Sequence, residues 1–348
     1  MSDVNRIREA LLSKWHSRPM RDDDLLSSGS TLLNLACSGR AAGAFLKGHY
    51  YFFCGDSASG KTWIGLTCFA EAVLNPNFSE YRFIYDSVEM GALMDIERYF
   101  GKAVVERLET PSRSEPYCSR TVQDFYRHLD DAIKLGKPFI YVLDSQDALS
   151  SEEEIKTFQQ QRTKSIGSYG DAKARYHSGH IRQVLGPLSD LGSILIILNQ
   201  TRESFDPFES TTYSGGRALL FYATIQLWSK INSHIVRVVR GKKRELGIIS
   251  KIRVKKNRLT GKDRTVLVPI YHSFGIDDIG SMVDFLVDEN VWTKRGDVIT
   301  VPDPPLEARR ERLIKIFEDR RDELVALVQK VWDEIEQACE VKRKRRYQ

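Results

Sequence analysis

The 348-residue chain carries 52 Lys and Arg against 47 Asp and Glu, with 41% apolar and 10% aromatic residues, which fits a globular protein with a sizeable core. No apolar stretch approaches the roughly 20 residues of a membrane span, and Arg6, Arg8, Glu9, Lys14 and His16 do not suit a secretory signal. The five cysteines are scattered without a C-x-x-C pair and the seven histidines form no metal-binding constellation, which excludes a disulfide framework and a zinc site and leads us to expect a reduced, cytoplasmic protein.

In chain order, Val4, Ile7, Leu11, Leu12 and Trp15 fall at helical spacing before the polar break from Ser17 to Asp24. An isolated amphipathic helix must bury its stripe on its own core or on a neighbouring subunit. Gly48 supplies a turn, and Tyr50 to Cys54 read as a buried strand. Gly55, Asp56, Ser57, Ala58, Ser59, Gly60, Lys61 and Thr62 then match Gly-x-x-x-x-Gly-Lys-Thr, and an apolar helical pattern runs to Leu74. Strand, glycine loop and helix in that order make a phosphate cradle. Backbone N–H groups surround the anion and the helix aims the positive end of its dipole at it. Lys61 can reach the β- and γ-phosphates and Thr62 can ligate Mg²⁺, so the sequence holds a nucleoside triphosphate site.

Tyr81 to Asp86 predict a second strand. Glu89 lies just beyond it, either as a water-activating base or as an ordinary loop glutamate. Val122 to Leu135 predict a helix, and the run FIYVLD a strand buried on both faces that ends at Asp144, a supporter of Mg²⁺. Residues 151–180 are polar and glycine-punctuated; a helix is expected from about His180 to Leu191, and the strand SILIILNQ ends at Gln200. In the polar loop that follows, Phe205 and Phe208 either tuck underneath or insert between bases or against a partner. The stretch 217–231 and two later segments alternate like strands and carry many cations. After the linker PDPP (302–305), one charged helix is expected from about Leu306 to Val341. The formal net charge of +5 equals the charge of Lys342, Arg343, Lys344, Arg345 and Arg346, so the basic excess is concentrated in a tail.

Taken together, LLSSGSTLLNLA, GDSASGKT, FIYDSVEMGALMD, YVLDSQDAL, LIILNQTR, STTYSGGRALLFYA, IRVKKNRLTG and FGIDDIGSMVDFLV resemble, in order, successive segments of the RecA family of strand-exchange recombinases. The resemblance covers roughly residues 25–300, and DSVEMG leans toward phage UvsX-type members. It implies an α/β, RecA-like P-loop ATPase core with a central, mostly parallel twisted sheet, an N-terminal helix and a small C-terminal α/β region. The divisions it suggests are 1–24 for oligomerisation, 25–270 for the core and 271–348 for the C-terminal part.

The roles implied are phosphate and Mg²⁺ binding by Lys61 and Thr62, water activation by Glu89, Mg²⁺ support by Asp144 and nucleotide sensing by Gln200. Lys256 and Arg258 would enter the adjacent subunit's site. The 151–180 stretch resembles the first DNA loop. The second would offer Arg202, Phe205, Phe208, Thr211, Thr212, Gly215, Gly216 and Arg217 to DNA. The implied partners are single- and double-stranded DNA, further copies of the chain in a helical filament, and single-strand-binding and loader proteins. Leu220 stands where bacterial members place an interface lysine, with Arg217 nearby, and the basic tail stands where they are acidic. Two rivals remain, a RecA-fold mediator without strand exchange and a hexameric helicase of the same superfamily, which the stretch TTYSGGRALLFYA disfavours.

Overall fold

A computed structural model describes residues 4–6, 20–89, 94–114, 117–160, 170–203, 211–343 and 346. Of the expected N-terminal helix, only residues 4–6 are described, and they are helical; the rest of its stripe lies outside the described residues.

Among the described residues the main sheet has ten strands. β3 (Tyr50–Gly55), β4 (Arg82–Ser87), β5 (Leu108–Glu109), β6 (Phe139–Asp144), β7 (Ile194–Glu203) and β9 (Ile225–Val239) are parallel, in the order β9-β3-β7-β6-β4-β5. β10 (Lys242–Asn257), β11 (Arg264–Tyr271) and β12 (Gly275–Ile276) continue it antiparallel beyond β9, and β8 (Thr211–Tyr213) pairs with β7. β1 (Leu25–Leu26) and β2 (Phe45–Leu46) form a separate ribbon.

The strand period of two divides each apolar run between two cores. Tyr51, Phe53, Val142, Ile196 and Leu198 face the helix Lys61–Leu74, where Ile64, Cys68 and Phe69 are buried. Tyr50, Phe52, Tyr141, Leu143 and Ile197 face the helices Val122–Lys134 and Gly170–Leu191, which supply Phe125, Leu129, Ile181 and Leu188. Thr121 and Asp124 close a capping box at the start of the first of these, which fixes where it begins.

β13 (Thr293–Arg295), β14 (Val298–Val301) and β15 (Leu306–Arg309) make a small sheet, accompanied by the helices Asp278–Asp288, Arg310–Glu318 and Arg321–Ala338. Its buried Trp292, Leu313, Val328 and Trp332 join the first core. The last helix is tied to β11 by Glu336, which accepts from Arg264 at 2.6 Å and Lys262 at 2.5 Å. Gln329 brackets the loop after Ser38, accepting from Ala41 N and donating to Gly39 O. No helix among the described residues is long and apolar enough to cross a membrane.

Three expectations on element boundaries need correction. The single helix from Leu306 is a strand and two helices, broken at Asp319–Arg320. Leu313, Phe317, Leu324, Val328 and Val331 keep helical spacing across the break, so periodicity does not locate it. The helix expected from His180 begins at Gly170 and runs through Gly179 and Pro187, because His177, Ile181, Val184 and Leu188 all pack inward. The stretch 217–231 opens as a helix, Arg217–Tyr222, and becomes strand only at Ile225.

Candidate active site

The parallel strands end along one edge of the sheet, and that edge carries the nucleotide residues. β3 stops at Gly55 and the helix begins at Lys61, so Asp56 to Gly60 make the whole turn. Gly60 has φ +93, and a Cβ on it would lie 2.3 Å from Ile270 Cδ1; a Cβ on Gly55 would lie 2.0 Å from Ser229 Oγ. Gly55 is therefore demanded by close approach, since its Cβ would also lie 2.5 Å from the Ser229 carbonyl, and Gly60 by its backbone conformation. The loop is pinned to the neighbouring strands through Ser59. Its Oγ donates to Asp56 O at 2.7 Å, its hydroxyl lies 2.7 Å from that of Ser229, and its carbonyl accepts from Ser250 at 2.7 Å.

Lys61 is buried, and its Nζ donates to Gly55 O at 2.9 Å and Asp56 O at 2.7 Å. Burial lowers its pKa, while the neighbouring acidic groups Cys54, Asp144, Asp56 and Glu89 oppose that. Thr62 Oγ1 donates to Asp144 Oδ2 at 2.8 Å, and Tyr85 OH donates to the same oxygen at 2.9 Å. Burial raises the Asp144 pKa and those two hydrogen bonds work against it. Glu89 Oε1 accepts from Ser145 Oγ at 2.5 Å and from Gln200 Nε2 at 2.9 Å. The fold thus brings together Lys61, Thr62, Asp144, Glu89 and Gln200 from four segments far apart in sequence. A hydroxyl beside a carboxylate suits Mg²⁺, and a buried ammonium at a glycine turn suits a triphosphate, so the donor set fits both ligands.

Lys256 and Arg258 are not part of this group. Lys256 Nζ donates to Leu220 O at 3.0 Å and Phe221 O at 2.6 Å, and Arg258 Nη2 donates to Phe221 O at 2.8 Å. Burial, aided by Arg258, pushes the Lys256 ammonium down to about 8. Strand register explains the separation. Lys256 pairs with Gln226 and Gln226 with Phe52, whereas the phosphate loop leaves β3 at Gly55. Three strand residues put these cations about 10 Å toward the opposite edge of the sheet.

The segment after Gln200 is more regular than the expected loop. β7 continues to Glu203 and β8 returns beside it, pairing Arg202 with Thr212 and Thr201 with Tyr213. Phe205 and Phe208 lie outside the described residues. Gly215 (φ +94) and Gly216 (φ +80) lead into the helix Arg217–Tyr222, whose first residue is exposed.

Sequence reasoning missed Tyr85, Ser145, Ser229, Ser250 and Thr201, the last donating to Asp56 Oδ1 at 2.5 Å. Each is a hydroxyl on a paired strand or, for Ser145, one residue past its end, and no local spacing marks it. A cleft of about 570 Å³ along the Lys61–Leu74 helix was also missed; Trp63, Tyr99 and Phe100 line it.

Comparison with known proteins agrees with this geometry. The model of the RecA N-terminal domain matches residues 8–277. Protein RecA of Cytophaga hutchinsonii is 28% identical over 318 residues, covering 88% of this chain and 80% of the relative. Protein RecA of Clostridioides difficile is 25% identical over 316 residues, covering 88% and 82%. Protein RecA of Lactococcus lactis subsp. cremoris is 26% identical over 319 residues, covering 90% and 74%. With its nucleotide residues assembled on one sheet edge and a family match across most of its length, the chain belongs to the RecA family.

Proposed function

We propose that this RecA-type recombinase hydrolyses ATP while assembled as a helical filament on single-stranded DNA, and pairs that strand with homologous duplex. The observation that carries the proposal is the position of Glu89, held by both Ser145 and Gln200. Ser145 follows the Asp144 strand end, and Gln200 begins the segment proposed to grip DNA. One carboxylate therefore touches both the nucleotide side and the DNA side.

In the proposed reaction Lys61 binds the β- and γ-phosphates of the substrate, and Glu89 takes a proton from the attacking water. Thr62 and Asp144 would hold Mg²⁺, which supplies charge neutralisation at the phosphates. Gln200 reports the γ-phosphate to residues 201–216, the second DNA segment, while 151–180 furnishes the first. The aromatic cleft beside Trp63 and Tyr99 suits a nucleobase. Residues 1–24 serve oligomerisation, 25–270 form the core and 271–348 a C-terminal unit. The setting is cytoplasmic, with single-strand-binding and loader proteins as further partners.

Glu89→Gln keeps the shape and can still accept from Ser145 and Gln200, but it is a far poorer proton acceptor. ATP and DNA affinity should persist while phosphate release falls by roughly a hundredfold or more. If binding disappears along with turnover, Glu89 is structural.

The function itself is tested by imaging the protein on single-stranded DNA with a non-hydrolysable ATP analogue, alongside a homologous pairing assay. Open helical filaments and joint molecules support the proposal. Closed rings would favour a helicase, and filaments that pair nothing would favour a mediator.

A further inference from the structure

A buried polar chain lies behind the candidate site, and none of its members is needed to hold nucleotide. Gln146 has no exposure and stands two residues after Asp144. Its Oε1 accepts from Ser214 Oγ at 3.1 Å, and its Nε2 lies 3.2 Å from Nε2 of His177, which is also fully buried. The other ring nitrogen of His177 is 2.9 Å from Tyr126 OH. The hydrogen-bond roles follow from chemistry. An amide nitrogen only donates, so His177 Nε2 accepts and the ring proton sits on Nδ1, donating to Tyr126. Burial, with help from Lys173 and His180, pushes the imidazole down to about 3, consistent with a neutral ring.

The chain ties three segments to one side chain. His177 belongs to the helix Gly170–Leu191, which follows residues 161–169. Ser214 closes the segment 201–214, and its carbonyl accepts from Asn199 Nδ2 at 3.1 Å, one residue before Gln200. Gln146 itself adjoins Ser145, whose hydroxyl holds Glu89. The approach is close: a Cβ on Gly215 would lie 2.7 Å from Gln146 Nε2, and one on Gly216 2.6 Å from Ala174 Cβ.

We infer that Gln146 is a positioning residue that fixes the ends of both DNA-gripping segments against the Asp144–Ser145 strand end, so that DNA held by them alters the placing of Glu89. This inference rests on the function proposed above. If the chain is only a satisfied core network, its loss lowers stability without changing how DNA affects hydrolysis.

Gln146→Leu matches volume and leaves His177 Nε2 and Ser214 Oγ without this partner. ATP KM and the DNA-free rate should stay within about twofold, while stimulation by single-stranded DNA falls roughly tenfold, in line with the loss of buried hydrogen bonds. Gln146→Glu should recover much of the stimulation. Its carboxylate accepts from Ser214, and His177 in its other tautomer can donate from Nε2 while Tyr126 donates to Nδ1. A packing role alone makes the buried charge of Gln146→Glu worse than Gln146→Leu. Should Gln146→Leu not fold, Tyr126→Phe reads the same ratio from the far end of the chain, with about a threefold loss expected. A folded variant with undiminished stimulation overturns the inference. A parental protein that DNA does not stimulate removes the functional proposal, and this inference with it.

Discussion

Lys61→Ala should cut ATP hydrolysis by about a hundred- to a thousandfold, the scale seen when a preorganised donor to developing charge is removed. Lys61 is the only cation between Gly55 and Thr62. It emerges from the first turn of its helix into the loop, where burial strengthens any charge it meets and costs it solvation. Its ammonium hydrogen-bonds to two loop carbonyls, so it is already at the turn that would surround a phosphate. Neither Lys256 nor Arg258 can replace it within one subunit, because both sit toward the other edge of the sheet. Phosphate release at saturating ATP measures the effect, and thermal unfolding confirms that the variant is folded. Hydrolysis near the parental rate would show that the reaction occurs elsewhere.

What could be read from sequence and what could not divide along physical lines. The helix Lys61–Leu74 was legible in outline and the strand Phe139–Asp144 to the residue, because a glycine loop precedes the one and a charged residue ends the other, an apolar run buried on both faces. Glu89 and Gln200 were legible as candidates, each at or just beyond the end of an apolar run, although β7 itself continues past Gln200 to Glu203. Their shared contact was not, because it depends on β4, β6 and β7 lying in the spatial order β4-β6-β7. Tyr85 shows the same limit. Its hydroxyl reaches Asp144 only because Tyr85 pairs with Val142 on the adjacent strand, which the run YRFIYD cannot announce. The start at Gly170 escaped for a different reason. Glycine and polar residues oppose a helix locally, and the packing of His177 and Ile181 overrides that preference.

Mixing Arg258→Ala with Lys61→Ala should restore hydrolysis that neither variant shows alone. Each by itself should be nearly inactive, Arg258→Ala by on the order of a thousandfold if it acts as a finger does elsewhere. The structure supplies the reason to expect complementation. Lys256 is the next-to-last residue of β10, level with Phe52 of β3, and Arg258 follows the strand's end, while the phosphate loop leaves β3 three residues further on at Gly55. The two cations hold the carbonyl end of the helix Arg217–Tyr222, and Phe221 in that last turn is exposed. With Arg258 exposed and both cations away from their own loop, a phosphate that they bind is expected on a neighbour arranged head to tail. In a random equal mixture roughly a quarter of such interfaces join an intact loop to an intact finger, and activity should approach that share of the parental rate. The measurement is phosphate release on single-stranded DNA, with co-assembly shown by labelling each variant separately. If the mixed filaments form and remain as inactive as their components, Arg258 does not act across the interface, and its place at the end of β10 serves only to cap the helix beside it.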